Sequence, residues 1–187
     1  MLYELTLNNA VELAKLENGC TAVNMVFEEI KGKYRDLIFE RVAENAKWLS
    51  FDPYGTYVVQ NFLTLHNPNA TKAIAERLGG NFFSLAMCKE GSYVVEKCLN
   101  SDFARLKVLE EFRGNDKEWV RMAKHKFGNY VAQCALNVMK ERGMIPLLRE
   151  FLGKLRPHLY GNKILQMIQN KFGGWLDHSP VDDLRKF

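Results

Sequence analysis

The chain has 187 residues, 47% hydrophobic and 26% charged, the balance of a globular protein rather than a disordered one. No apolar run approaches the 18 or so residues of a membrane span, and Met1-Leu2-Tyr3-Glu4-Leu5 lacks the basic flank and apolar stretch of a signal peptide. The net charge of +4 is uneven: residues 1–100 carry 10 Lys/Arg against 12 Asp/Glu and residues 101–187 carry 16 against 10, so a polyanion would be drawn to the C-terminal half.

In chain order, residues 1–8 form an apolar leader without helical spacing, either the remnant of a preceding unit or an improvised cap. A unit over residues 9–45 follows, with Gly19-Cys20-Thr21-Ala22-Val23-Asn24 and a closing helix in which Leu37, Ile38 and Val42 recur at helical spacing. The second, 46–80, turns at Asp52-Pro53, carries Gly55-Thr56-Tyr57-Val58-Val59-Gln60, loops at His66-Asn67-Pro68-Asn69 and closes on a helix with Ile74 and Leu78 on one face. The third, 81–116, repeats that plan with Gly91-Ser92-Tyr93-Val94-Val95-Glu96, then a helix capped by Asp102 and carrying Leu106, Leu109 and Phe112. The fourth, 117–155, holds Gly128-Asn129-Tyr130-Val131-Ala132-Gln133 and a closing helix opened by Pro146. A short fifth, 156–174, carries Gly161-Asn162-Lys163-Ile164-Leu165-Gln166, before a polar tail, 175–187, with Asp177, Asp182 and Asp183.

The five glycines are spaced by 36, 36, 37 and 33 residues, a period that indicates stacked units in a solenoid, three short helices to each. The copies at Gly55, Gly91 and Gly128 are clear, that at Gly161 is fainter and that at Gly19 faintest. Within the motif the apolar pair stays apolar while the polar residues around it change. Residues four apart share a helix face, so Thr56 with Gln60, Ser92 with Glu96 and Asn129 with Gln133 each point one way, and the adjoining tyrosine lies about 100° round the helix, bordering the same surface. Two hydrogen-bonding side chains and a ring in each unit suit a single-stranded nucleic acid, whose bases offer a face to stack and an edge to recognise.

The motif resembles the Pumilio (PUF) RNA-binding repeat, from about Asn9 to about Phe172. The resemblance implies an all-α, right-handed solenoid of about five three-helix repeats, atypical at both ends. It implies single-stranded RNA, mRNA, as partner, contacted at one base per repeat on the concave face. By that resemblance Asn129 and Gln133 contact uracil, Ser92 and Glu96 guanine, and Thr56 and Gln60 adenine or uracil, while Cys20 and Asn24 match no assigned base. Tyr130, Tyr93 and Tyr57, with Thr21 in the first repeat, occupy the stacking position. Asn162 and Gln166 spell uracil, but Lys163 between them is no ring, so this last copy is expected to be a terminal cap, with Lys163, Lys126 and His125 making phosphate or weak RNA contacts. RNA runs antiparallel to the repeats in this family, giving a 5′-UG(A/U)N site and a role in mRNA stability or translation. The location expected is the cytoplasm, with nucleus or nucleolus as alternatives.

No cofactor is implied. Cys20, Cys88, Cys98 and Cys134 show no zinc spacing, and Cys88, Cys98 and Cys134 fit buried or half-buried thiols. The four histidines stand in unlike contexts without a catalytic motif, which argues against an enzyme. Trp48 and Trp119 fit the core. Two other readings remain open: a scaffold holding a protein co-regulator on the convex face, and a sequence-tolerant RNA binder of ribosome assembly. A monomer is expected, with self-association through an uncapped end as the alternative.

Overall fold

The computed structural model describes residues 2–65 and 68–175. Among them the regular structure is helical throughout: α1 Leu2–Ala14, α2 Glu17–Glu29, α3 Lys33–Glu44, α4 Ala46–Phe51, α5 Gly55–Thr64, α6 Pro68–Leu78, α7 Phe82–Ala86, α8 Lys89–Asn100, α9 Arg105–Arg113, α10 Asp116–Lys124, α11 Gly128–Glu141, α12 Ile145–Leu155 and α13 Lys163–Phe172. Short 3-10 turns at Arg156–His158 and Gly173–Trp175 flank α13. These helices repeat in threes from α4 to α12, and α1 to α3 form a first unit of the same plan.

Each unit is held by local signals. Asn115 caps α10 by accepting from the Glu118 N–H, with Asp116 and Glu118 in the first turn and Arg121 and Lys124 in the last, so the charges complement the helix dipole at both ends. Pro146 stands in the first turn of α12, where its missing N–H costs nothing. Stacking does the rest. The second helices α2, α5, α8 and α11 pack side by side as one layer, and the third helices follow suit, α3 on α6 and α6 on α9. The apolar pairs Val58-Val59, Val94-Val95 and Val131-Ala132 are fully buried between these layers. The core runs unbroken from Ala10 to Phe172. Along it Phe83, Phe112, Trp119 and Phe151 succeed one another at centroid distances of 4.8, 5.9 and 4.6 Å, and the indole N–H of Trp119 donates to the Phe151 carbonyl at 3.1 Å.

Several expectations change. Helix α1 runs through the boundary drawn between residues 8 and 9, so the stretch expected to lack helical spacing is helical from Leu2. Pro68 and Asn69 open α6 instead of lying in a loop, while His66, Asn67 and the tail beyond Trp175 lie outside the described residues. Trp119 is fully buried but Trp48 is 67% exposed, with Lys47 Nζ over its ring at 5.2 Å. In α9 Leu109 and Phe112 face the core and Leu106 faces water. Asp102 caps nothing. It pairs with Arg105 at 2.8 Å and Arg142 at 3.1 Å, and these guanidiniums hold its carboxyl below the usual range. Arg105, itself nearly buried, also donates to the Leu99 and Asn100 carbonyls and so closes the C-terminus of α8.

Candidate nucleic-acid interface

The motif glycine seats each second helix. A methyl group added at Gly55, Gly91 or Gly128 would stand 2.9, 2.7 or 2.5 Å from the backbone carbonyl of Leu49, Leu85 or Met122, and at Gly19 it would lie closer still to the Leu13 carbonyl. In all four the neighbour is the residue six positions earlier, on the preceding helix, so the two backbones touch where only a hydrogen fits. The faintest copy in letters is therefore a full copy in geometry. Gly161 is different: its φ is +71°, a methyl group there would meet nothing within 4 Å, and it lies in a turn before α13.

Three residues before the glycine stands a group that closes the entry to the helix. Asp52 Oδ1 accepts from the Tyr54 and Gly55 N–H groups at 2.9 and 2.8 Å, and His125 Nδ1 accepts from those of Phe127 and Gly128 at 3.3 and 3.4 Å. His125 thus helps to hold the start of α11 in place. Lys126 lies over the Phe127 ring at 4.8 Å, beside the groove.

The first polar residue of each pair is buried: Cys20, Thr56, Ser92 and Asn129 are 3–6% exposed. Its donor is spent on backbone. Cys20 Sγ donates to the Glu17 carbonyl, Ser92 Oγ to Lys89, Thr56 Oγ1 across to Glu90 of the next repeat, and Asn129 Nδ2 to both His125 and Lys126. What these residues turn outward is acceptor capacity. The second residues, Asn24, Gln60, Glu96 and Gln133, are half-buried, and their characters differ. Gln60 Nε2 donates to Thr56 Oγ1 at 3.0 Å, which leaves one N–H and the amide oxygen to face the groove. Glu96 is acceptor-only when ionised, and burial raises its pKa. Gln133 Nε2 donates to Asn129 Oδ1 at 3.2 Å. Asn24 has its Oδ1 buried without a donor among the described residues.

Beside these pairs the rings stand free. Tyr57, Tyr93 and Tyr130 are 58, 53 and 63% exposed, far from the burial of a packing aromatic. Tyr93, Tyr130, Ser92, Glu96, Gln133 and Lys171 line one groove of about 670 Å³ between α8 and α11. Cys134, on its wall, has its thiol pushed up to about 11 by burial and by the Glu96 carboxylate. In the first repeat Thr21 is exposed at the ring position but offers no ring. In the fifth, Asn162 Oδ1 caps α13 by accepting from the Leu165 N–H at 3.0 Å and Gln166 Nε2 donates to the Leu159 carbonyl at 3.1 Å. Asn162 is engaged by its own helix and Gln166 by the turn that precedes it, and Lys163 beside them is exposed. Sequence reasoning missed Lys171, which is 38 residues from Gln133 and belongs to no motif, and Asp52, whose signal was the three-residue spacing to glycine that His125 shares.

The family model described as the Pumilio-family RNA binding repeat matches residues 47–73, 81–102 and 118–150, and the putative pumilio homolog 21 of Arabidopsis thaliana is 63% identical over 96% of this chain. The chain belongs to the Pumilio (PUF) repeat family. Pumilio homolog 18 of the same plant is 35% identical over 90% of the chain. The PUF array spans 36% of the length of the first of these relatives and 54% of the second. Among solved structures, the Puf4 RNA binding domain bound to the HO endonuclease RNA 3′ UTR recognition sequence superposes with a TM-score of 0.81 at 21% identity, covering 89% of this chain and 55% of its own. Yeast Puf5p bound to AAT2 RNA gives 0.76 at 18% identity, covering 89% and 48%. At such identities the likeness is one of fold, and the fold is the PUF solenoid.

Proposed function

We propose that this PUF array binds single-stranded RNA selectively, one base to each of its first four repeats, and acts on mRNA after transcription. The observation that carries the reading is the set of three exposed tyrosines in register, each beside a polar pair, acceptors alone at Ser92 and Glu96 and a donor with an acceptor at Gln60 and Gln133. Ser92 and Glu96 present acceptors alone, which suit the adjacent N–H donors of guanine. Gln60 presents one donor and one acceptor, which suit the edge of adenine or of uracil. Asn129 and Gln133 present an acceptor beside a donor, which suit the N3–H and a carbonyl of uracil. With the RNA antiparallel to the repeats, the site is 5′-UG(A/U) followed by a base held by Cys20 and Asn24. The positive balance of residues 101–187 supports entry of the 5′ end there. The tyrosines supply about 1–3 kcal/mol per stacked base.

Fluorescence anisotropy at fixed salt tests this with RNAs beginning 5′-UG and 5′-UC. The expected preference for UG is about tenfold. Equal binding with a steep salt slope would reduce the interaction to electrostatics, and no binding would favour a protein-interaction scaffold.

A further inference from the structure

Helix α13 fails as a fifth reader, yet it sends one side chain into the groove of the fourth. Lys171 Nζ donates to Gln133 Oε1 at 3.4 Å, and Lys171 lines the groove together with Tyr130 and Gln133. This contact reinforces the orientation that Asn129 Oδ1 already gives the Gln133 amide and adds donors of its own. A lysine ammonium only donates, so it meets the oxygen end of the Gln133 amide and keeps Nε2 on Asn129 Oδ1. Gln133 then has a single N–H left for a base. Both hydrogens of Asn129 Nδ2 are already held by the His125 and Lys126 carbonyls, which leaves the second lone pair of Asn129 Oδ1 as acceptor. The remaining N–H groups of Lys171 point donors into the same space.

We propose that Lys171 is a third base reader of the fourth repeat, supplied from the terminal helix, and that it sets the preference for uracil over cytosine. The proposal rests on the RNA reading above. The pattern offered by Gln133 N–H, the second lone pair of Gln133 Oε1 and Lys171 N–H is donor, acceptor, donor. Uracil answers with a carbonyl, the N3–H and a second carbonyl. Cytosine carries an amino group where uracil has O4, and an amino group facing an ammonium leaves two donors without an acceptor. A two-residue reader without such an ammonium beside its glutamine oxygen lacks this discrimination. The second repeat is that case: among the described residues no donor meets Gln60 Oε1.

The test compares wild type, Lys171→Met and Lys171→Arg on four RNAs, with U or C at the first position and G or C at the second, at two salt concentrations. Lys171 is exposed, so the variants keep the fold, which circular dichroism checks. Lys171→Met is expected to lower the U-over-C preference by about tenfold and leave G over C unchanged, with Lys171→Arg restoring most of it. A uniform loss across all four RNAs with a shallower salt slope would make Lys171 a phosphate contact and overturn the proposal. An unchanged U-over-C preference would overturn it as well. If wild type distinguishes neither position, the RNA reading itself fails, and the G-over-C arm separates the two failures.

Discussion

The first and fifth repeats depart from the motif in opposite directions. Around Gly19 the letters are poor: a cysteine replaces the hydroxyl or amide, a threonine the tyrosine and an asparagine the glutamine. The helix nevertheless sits backbone to backbone on its predecessor, as in the three clear copies. Around Gly161 the letters are better, yet the glycine is in a turn and Asn162 and Gln166 are engaged by α13 and the turn before it. A repeat is thus defined by how its helix is seated, and side-chain identity is decided afterwards. The family model shares the sequence bias, since it matches neither end.

The most direct way to break this comparison is to add a methyl group at each glycine. Gly19→Ala is expected to cost about 3 kcal/mol, since a backbone carbonyl must move, and to lower Tm by on the order of 10 °C. Gly161→Ala has open space and pays only for the left-handed backbone, about 1–2 kcal/mol. Thermal melts giving the two equal losses would remove the distinction.

The ring position sharpens it next. Tyr93→Ala and Tyr130→Ala should each cost about 1–3 kcal/mol of RNA affinity at unchanged Tm, because the rings are exposed. Lys163→Ala, at the same letter of the fifth copy, should leave the affinity within about twofold, as a group outside the stack changes little. Titration of a single RNA against the three variants decides it.

Glu96→Gln is expected to abolish the UG preference, about 1.4 kcal/mol, without destabilising the free protein. Burial raises the folded-state pKa of Glu96, so ionisation opposes folding as pH rises through that value, and guanine recognition needs the carboxylate. The UG preference should therefore decay as pH falls through the raised pKa, earlier than an ordinary glutamate at about 4.3 would give. A preference constant well below that range would exclude Glu96 as the acceptor. The smallest effect belongs to the first repeat. Asn24→Leu removes a buried oxygen without a donor and should raise stability by up to about 1 kcal/mol, while selectivity at the 3′ base falls.

The period, the three-helix plan and the exposed tyrosines were legible in the sequence, because a glycine, an apolar pair and a ring recur at fixed offsets. What was hidden depends on neighbours distant along the chain. Trp48 faces water although tryptophan usually finds the core, and nothing in its own helix announces that. Asp102 has the letter of a cap but lies near two arginines, one of them 40 residues away. The Gly161 copy fails through its φ, which spacing does not encode, and Lys171 reaches Gln133 only because α13 folds back over α11.

The glycine contacts also make the array mechanical. Two helices joined backbone to backbone flex as one lever, so compliance collects at the seams between successive second helices. These seams are tied differently: α5 and α8 are joined by Thr56 Oγ1 to the Glu90 carbonyl at 3.1 Å, and α8 and α11 by the longer contact of Asn100 Nδ2 with Cys134 Sγ at 3.7 Å. Bending of the superhelix is expected to collect at the joint with the longer tie, whose Asn100 and Cys134 also line the groove.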